Sequence, residues 1–122
     1  ETGKIVVLGG LQPGQSTNAV AAISAESINA DLLINATDVD GVYTADPKKD
    51  PNAKKLDEIG ADELLNKILG EELWAGGYEL FDPVAIKIVK RSKIPTRIVD
   101  GRNVGNIERV VKGEKLGTLI LV

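Results

Sequence analysis

The sequence contains no cysteine and no histidine, and it has only four aromatic residues. Without thiols or imidazoles, the protein cannot form disulfides, use these groups as nucleophiles, or build the usual zinc sites. We therefore predict no protein-held metal site of that kind, and any metal must be bound by oxygen. The charge is well mixed, with 15 basic and 18 acidic residues, and so few aromatics are available to stack bases that no nucleic-acid partner is expected.

Long hydrophobic runs are also missing. No stretch approaches the roughly 20 apolar residues needed to cross a bilayer, and the first residues lack a signal-peptide pattern. We therefore expect a cytoplasmic protein without a membrane partner. A chain of 122 residues with 43% hydrophobic content can bury about two thirds of its unfolded surface. This is consistent with one domain that spans residues 1–122.

Short, mostly apolar runs predict strands that are covered on both faces. They lie at residues 5–8, 32–36, 94–99 and 118–122. Helical patterns lie between them, at residues 17–28, 61–69, 84–91 and 104–111. Asp82 and Pro83 predict a cap and a first helical position for the third helix, and Gly113 predicts the end of the fourth.

The order of these elements predicts the fold class. Strands that alternate with helices are typical of an α/β fold, here a three-layer sandwich with a mainly parallel sheet flanked by helices. Residues 41–44 and 54–59 add a small β-hairpin, which two Asp-Pro pairs interrupt. Residues 70–77, which include Trp74, are predicted to form a flexible loop.

The first candidate site is the segment GGLQPGQST at residues 9–17, between a predicted strand and a helix. Its glycines can present backbone amides, and Ser16 and Thr17 place hydroxyls at the positive start of the helix. It is not a P-loop, because the spacing from Gly10 to Gly14 is one residue short and Gln15 stands where lysine is required. The residues alone leave two interpretations open: an anion-binding loop, or a helix cap with glycines that serve packing.

The second candidate site follows the strand at 32–36, where four aspartates occur within residues 38–50. In an open parallel sheet, ligands bind outside the carboxyl ends of the strands, which favours a site here. The stretch does not match a calcium loop, because the required third oxygen ligand and later glutamate are not in place. The alternative is an acidic turn without a ligand.

Residues 35–51, NATDVDGVYTADPKKDP, resemble the nucleotide-binding stretch of the amino acid kinase family, and most closely its archaeal uridylate kinases. Residues 9–17 and 77–93 carry the same resemblance, which extends over essentially the whole chain. It implies the carboxyl-terminal, ATP-binding half of the amino acid kinase fold. The other half would contain the main catalytic lysine, so no catalytic residue is assigned within these 122 residues.

The resemblance also implies two sets of binding residues. The UMP-binding set is Gly10, Leu11, Gln12, Pro13, Gly14, Gln15, Ser16 and Thr17. The ATP-binding set is Thr37, Asp38, Tyr43 and Asp46, with Mg²⁺ accompanying the ATP. Two positions depart from the family: Asn18 stands where many members have aspartate, and Asp38 stands where relatives often have asparagine or lysine.

The implied activity is phosphoryl transfer from ATP to UMP, giving UDP in pyrimidine nucleotide biosynthesis. These 122 residues alone are expected to be inactive, because the acceptor pocket and the lysine lie largely elsewhere. The intact enzyme is expected to be a homo-oligomer, a hexamer, and the chain itself to self-associate or to associate with the other half. Two alternatives stay open: another small-molecule kinase of the same family, and a non-catalytic nucleotide-binding or assembly fragment.

Overall fold

A computed structural model describes residues 3–9, 17–70 and 82–122 of the chain. The helices are α1 (Thr17–Ser27), α2 (Ala61–Leu69), α3 (Pro83–Ser92) and α4 (Gly105–Val111). The strands are β1 (Leu33–Thr37), β2 (Val42–Tyr43), β3 (Lys55–Leu56), β4 (Glu58–Gly60), β5 (Thr96–Asp100) and β6 (Thr118–Leu121). Residues 10–16 of the first candidate loop, and residues 71–77 of the predicted flexible loop with Trp74, lie outside the described residues.

The main sheet is mixed but mostly parallel. Its strand order is β1-β5-β6-β4, in which β1 pairs with β5 and β4 pairs with β6 in parallel, while β5 and β6 are antiparallel. Strands β2 and β3 form a separate antiparallel hairpin. The predicted α/β fold class, with a mainly parallel sheet, flanking helices and a small hairpin, is confirmed.

The core joins three helices to the sheet. One cluster of buried side chains contains Ala22 of α1, Leu64 of α2 and Ile86 of α3, together with Ile98 of β5 and Ile120 of β6. All five are fully buried. Alanine-rich α1 packs closely on α3, because small side chains allow two helices to approach each other. Within the described ranges, no helix is long and apolar enough to span a bilayer.

Helix α3 begins and ends as its sequence predicts. The Asp82 carboxylate accepts a hydrogen bond from the Ala85 amide at 2.8 Å, and Pro83 occupies the first turn. At the other end, Lys93 adopts a left-handed conformation with φ of 55°. The side chains of Lys90 and Arg91 lie in the last turn, where positive charge is favourable.

Three expectations are wrong or incomplete. Residues 5–8 form no strand, because a strand requires a hydrogen-bonding neighbour and none of the described strands pairs with them. The side chains of Ile5 and Val7 are accordingly 95% and 88% exposed. The second hairpin arm is split, since only Lys55–Leu56 pairs with β2, whereas Glu58–Gly60 joins β6 in the main sheet. Strand β1 is not covered on both faces, because its residues are half-buried or exposed.

The last helix shows a related difference. Its apolar positions share one helical face, but only Val110 is buried. Val104 and Val111 are 76% and 67% exposed. Amphipathic spacing predicts the helix correctly, but it cannot show whether a neighbouring element covers each apolar position.

Candidate functional site

The candidate site lies at the edge where two parallel strands end together. Thr37 at the end of β1 is opposite Asp100 at the end of β5, so the two following loops emerge side by side. The Gly101 amide donates a hydrogen bond to the Thr37 carbonyl oxygen at 2.7 Å. A Cβ at position 101 would lie 2.8 Å from the Ala36 Cβ, so only glycine permits this close approach.

A cavity of about 350 Å³ opens between these loops and the hairpin. This volume is at the lower end of the range of about 300–1,000 Å³ that is typical of small-molecule sites. The cavity is polar, and it combines carboxylates, one phenol and two cationic side chains. Its lining residues are Asp38, Val39, Asp40, Tyr43, Pro47, Lys48 and Arg102.

Tyr43 is held in place by a neighbouring carboxylate. Its hydroxyl donates a hydrogen bond to Asp40 Oδ1 at 2.8 Å. This bond, followed by partial burial and the charge of Asp40, raises the pKa of Tyr43 above its ordinary value. The hydrogen bond to Asp40 also restrains the orientation of the ring at the cavity.

Thr118 of β6 connects the hairpin that carries Tyr43 to the main sheet through two hydrogen bonds. The Val42 amide donates to Thr118 Oγ1 at 2.9 Å, and the same hydroxyl donates to the Leu56 carbonyl oxygen at 2.5 Å. Val42 and Thr118 are both fully buried. Thr118 was not predicted as a site residue, although a hydroxyl at the start of an otherwise apolar strand is a signal that could have identified it.

Of the four residues predicted to bind ATP, Asp38 and Tyr43 line the cavity. Thr37 is the last residue of β1, and its hydroxyl donates to Asp38 Oδ1 at 3.3 Å. Asp46 is not a lining residue: its carboxylate accepts a hydrogen bond from the Lys48 amide at 2.9 Å and caps the turn. It thereby positions Lys48 on the cavity wall, and direct contact between Asp46 and a nucleotide stays a prediction.

Arg102 is a lining residue that the sequence did not reveal. Its Nε and Nη2 atoms donate to Asp100 Oδ1 at 3.0 Å and Oδ2 at 2.8 Å, while its amide also donates to Oδ1 at 2.9 Å. These hydrogen bonds lower the pKa of Asp100 below its ordinary value. The signal was present in the turn residues Asp100 and Gly101, which follow a predicted strand and precede an arginine.

The predicted UMP-binding residues are almost entirely outside the described part of the chain. Residues 10–16 are not described, and Thr17 is exposed at the start of α1. The choice between an anion-binding loop and a helix cap therefore stays open, and the UMP site stays a prediction. Among the described residues, no group of three or more histidine, cysteine, aspartate or glutamate side chains is arranged to hold a metal ion.

A mostly parallel α/β sheet with a polar cavity outside its carboxyl strand ends is the arrangement in which α/β proteins commonly bind small ligands. The chain belongs to the amino acid kinase family, whose sequence pattern matches residues 1–100. This family match agrees with the resemblance of residues 35–51.

Individual relatives are consistent with the family assignment. The chain is 53% identical over 119 residues to a protein named uridylate kinase from Methanocella arvoryzae, covering 98% of this chain and 53% of that protein. It is 54% identical over 119 residues to a uridylate kinase from Hyperthermus butylicus, covering 98% of this chain and 52% of that protein. The chain thus spans about half the length of the curated relatives it matches.

Solved structures share the fold. The uridylate kinase from Archaeoglobus fulgidus matches 92% of this chain with a TM-score of 0.77 and 46% identity, over 50% of its own length. The UMP kinase from Bacillus anthracis matches 90% with a TM-score of 0.74 and 26% identity, over 42% of its length. An aspartate kinase from Synechocystis matches 90% with a TM-score of 0.68 and 26% identity, over 16% of its length.

Proposed function

We propose that this chain is a single domain, the ATP-binding, carboxyl-terminal half of a UMP kinase of archaeal type. The intact enzyme transfers the terminal phosphoryl group of ATP to UMP and forms UDP, a step of pyrimidine nucleotide biosynthesis in the cytoplasm. One observation carries the proposal: Asp38 and Tyr43, which match the family's ATP-binding positions, line one cavity outside the ends of β1 and β5. The uridylate kinases that share about half of the chain's residues support the choice of acceptor.

The chemistry requires the protein mainly to position its substrates. Phosphoryl transfer depends on aligning donor and acceptor and on stabilising charge, with little covalent work by the protein. In our proposal Tyr43 packs near the adenosine, and Asp46 accepts hydrogen bonds from the base or ribose. The acceptor loop at residues 10–17 holds UMP. The main lysine belongs to the other half, so the 122 residues alone bind nucleotide but transfer little phosphate.

The side chains at the cavity fit a magnesium ion that enters with the nucleotide. Mg²⁺ is usually held by one or two carboxylates, substrate phosphates and water rather than by a cage of protein ligands. Asp38 and Asp40 supply carboxylate oxygens at the cavity, and the described residues contain no larger cluster of acidic ligands. These two residues would hold the ion, which would neutralise phosphate charge when bound.

Binding is tested by calorimetric titration of Mg-ATP into the wild-type chain, Tyr43→Ala and Asp46→Ala. We expect both substitutions to weaken binding, since one removes the ring from the cavity and the other releases the turn that holds Lys48. Asp50→Ala is a matched control, because Asp50 caps the adjacent turn through the Asn52 amide at 2.8 Å but does not line the cavity. Unchanged affinity in both site variants would contradict the proposed ATP site.

Turnover is tested by coupled detection of ADP release with UMP, aspartate and other small acceptors. We expect the intact enzyme that contains residues 1–122 to use UMP in preference to the other acceptors. The isolated 122 residues should show almost no turnover. A different preferred acceptor would favour another kinase of the family. Turnover by the isolated chain at an ordinary kinase rate would contradict the proposal that the main catalytic lysine belongs to the other half. A polypeptide that binds neither ATP nor UMP would favour a non-catalytic fragment.

We also propose that the chain self-associates or associates with the other half, and that the intact enzyme is a hexamer. The support is the exposed apolar run Ile5, Val6, Val7 and Leu8, whose side chains are 63–95% exposed. Exposed contiguous apolar surface commonly marks an interaction site. Sedimentation equilibrium of the chain and of the intact enzyme tests this proposal. If both were strictly monomeric across the concentration range, the proposal would be contradicted.

A further inference from the structure

The residues predicted to bind ATP include no cationic side chain that could bind the phosphates. Two of the side chains that line the cavity, Asp38 and Asp40, are carboxylates. A triphosphate and two carboxylates together carry more negative charge than one magnesium ion offsets, so the phosphates need further positive charge close by. The cationic side chains that line the cavity are Lys48 and Arg102.

Arg102 is better prepared than Lys48 to bind an anion. Lys48 is an exposed residue of the turn that Asp46 caps, and its flexible side chain carries a single point charge. The Arg102 guanidinium is instead oriented at two points by Asp100, through Nε and Nη2. A guanidinium has five N–H donors, so two bonds to Asp100 leave three for a ligand, and its planar shape suits phosphate oxygens.

The position of Arg102 also favours this role. It follows the end of β5 at the edge where Asp38 follows β1, and it lines the same cavity as Tyr43. We infer that Arg102 contacts the phosphates of the donor nucleotide and offsets the charge of Asp38 and Asp40. This inference rests on the proposed function, because it assumes that a nucleoside triphosphate occupies the cavity.

A purely structural role for Arg102 is the competing explanation. Its ion pair with Asp100 is largely exposed, with 71% of the arginine side chain accessible, and exposed ion pairs contribute little to stability. If the pair served only to shape the turn after β5, its loss would disturb every ligand of the cavity to a similar extent. Direct contact with phosphate would affect only phosphorylated ligands.

The experiment measures the binding of ATP, adenosine and inorganic tripolyphosphate to the intact enzyme that contains residues 1–122, by calorimetry. We expect Arg102→Gln to weaken ATP and tripolyphosphate by about tenfold to a hundredfold, as for loss of a hydrogen bond to a charged group. Adenosine affinity should not change. Arg102→Lys retains the positive charge but not the planar, forked set of N–H donors. Its ATP affinity should therefore lie between that of the wild type and that of Arg102→Gln.

Arg109→Gln is the matched control, because Arg109 is half-exposed and also donates through Nε to a carboxylate, Glu114 Oε2 at 2.7 Å, but it does not line the cavity. It should leave the affinity for all three ligands unchanged. Wild-type ATP affinity in Arg102→Gln would overturn this inference alone, as would an equal loss for adenosine and ATP. Failure of the wild-type protein to bind ATP would instead overturn the proposed function.

Discussion

Replacing Thr118 by valine should destabilise the protein strongly, although the two side chains have nearly the same shape. The Thr118 hydroxyl accepts a hydrogen bond from the Val42 amide and donates one to the Leu56 carbonyl oxygen. Valine can do neither. Thr118 and Val42 are both fully buried, so water cannot easily replace the lost partner.

The expected magnitude follows from these two hydrogen bonds. Leaving a buried polar group without a partner costs about 1–3 kcal/mol. The substitution affects the buried Val42 amide and the partly buried Leu56 carbonyl, so we expect a loss of about 2–4 kcal/mol in the free energy of unfolding. A domain of this size is typically stable by only about 5–15 kcal/mol. With a typical urea dependence of about 2 kcal/mol per molar, the unfolding midpoint should fall by about 1–2 M.

Two further variants separate the hydroxyl from other effects. Thr118→Ser retains the hydroxyl and removes one methyl group, which should cost about 1 kcal/mol. Thr96→Val removes a hydroxyl from an equally buried threonine in β5. Since Thr96 Oγ1 makes one long bond, to the Ile94 carbonyl oxygen at 3.2 Å, we expect this change to cost about 1 kcal/mol as well.

The assay combines urea unfolding with hydrogen exchange. In Thr118→Val, the Val42 amide should exchange faster than in Thr96→Val, because the hairpin has lost its attachment to β6. Since the hairpin carries Tyr43, nucleotide affinity should fall at the same time. The reasoning is refuted if Thr118→Val is as stable as Thr118→Ser, or if the Val42 amide is protected equally in both valine variants.

Two other contacts give predictions. Hydrogen bonds from Arg91, then from Ser92, lower the pKa of Glu26 to about 2, from an ordinary value of 4.5. Since this carboxylate stabilises the fold only while ionised, Glu26→Gln should lower the urea midpoint above about pH 4.5, and its difference from wild type should shrink toward pH 2. Glu108→Gln, which removes an ion pair whose two side chains are about 70% exposed, should have little effect at any pH; an equal effect would contradict the Glu26 argument. Asp82→Ala should cost about 1 kcal/mol by removing the cap of α3. Asp82→Asn should retain most of that stability in the same urea assay, and equal losses in both variants would count against the cap.

The local elements were largely predictable because their signals are local. The spacing of apolar residues in α2 and the Asp82-Pro83 pair before α3 specify helices through contacts within a few residues. The β1 and β5 predictions were also close, since short apolar runs bounded by polar residues favour strands. Asp38 and Tyr43 were predicted as site residues from a family motif that follows a predicted strand, and both line the cavity.

The errors arise where the outcome depends on a partner distant in the sequence. Residues 5–8 have the composition of a strand, but no described strand pairs with them. Likewise, residues 54–59 read as one hairpin arm, whereas Leu56 pairs with Val42 and Ile59 pairs with Ile120. β-strand pairing is a long-range interaction, so an apolar run indicates that a strand can form but not which neighbour it has.

The amino-acid order alone was sufficient for the α/β class, the helix ends and the family, since each depends on short-range patterns or on motifs that remain contiguous in the chain. Which residues line the cavity depends on the tertiary structure. Arg102 and Asp38 are far apart in the sequence, and they line the same cavity because β1 and β5 are parallel and end in register. Thr118 supports the hairpin for the same reason: a buried hydroxyl acquires its role from the strands that folding places against it.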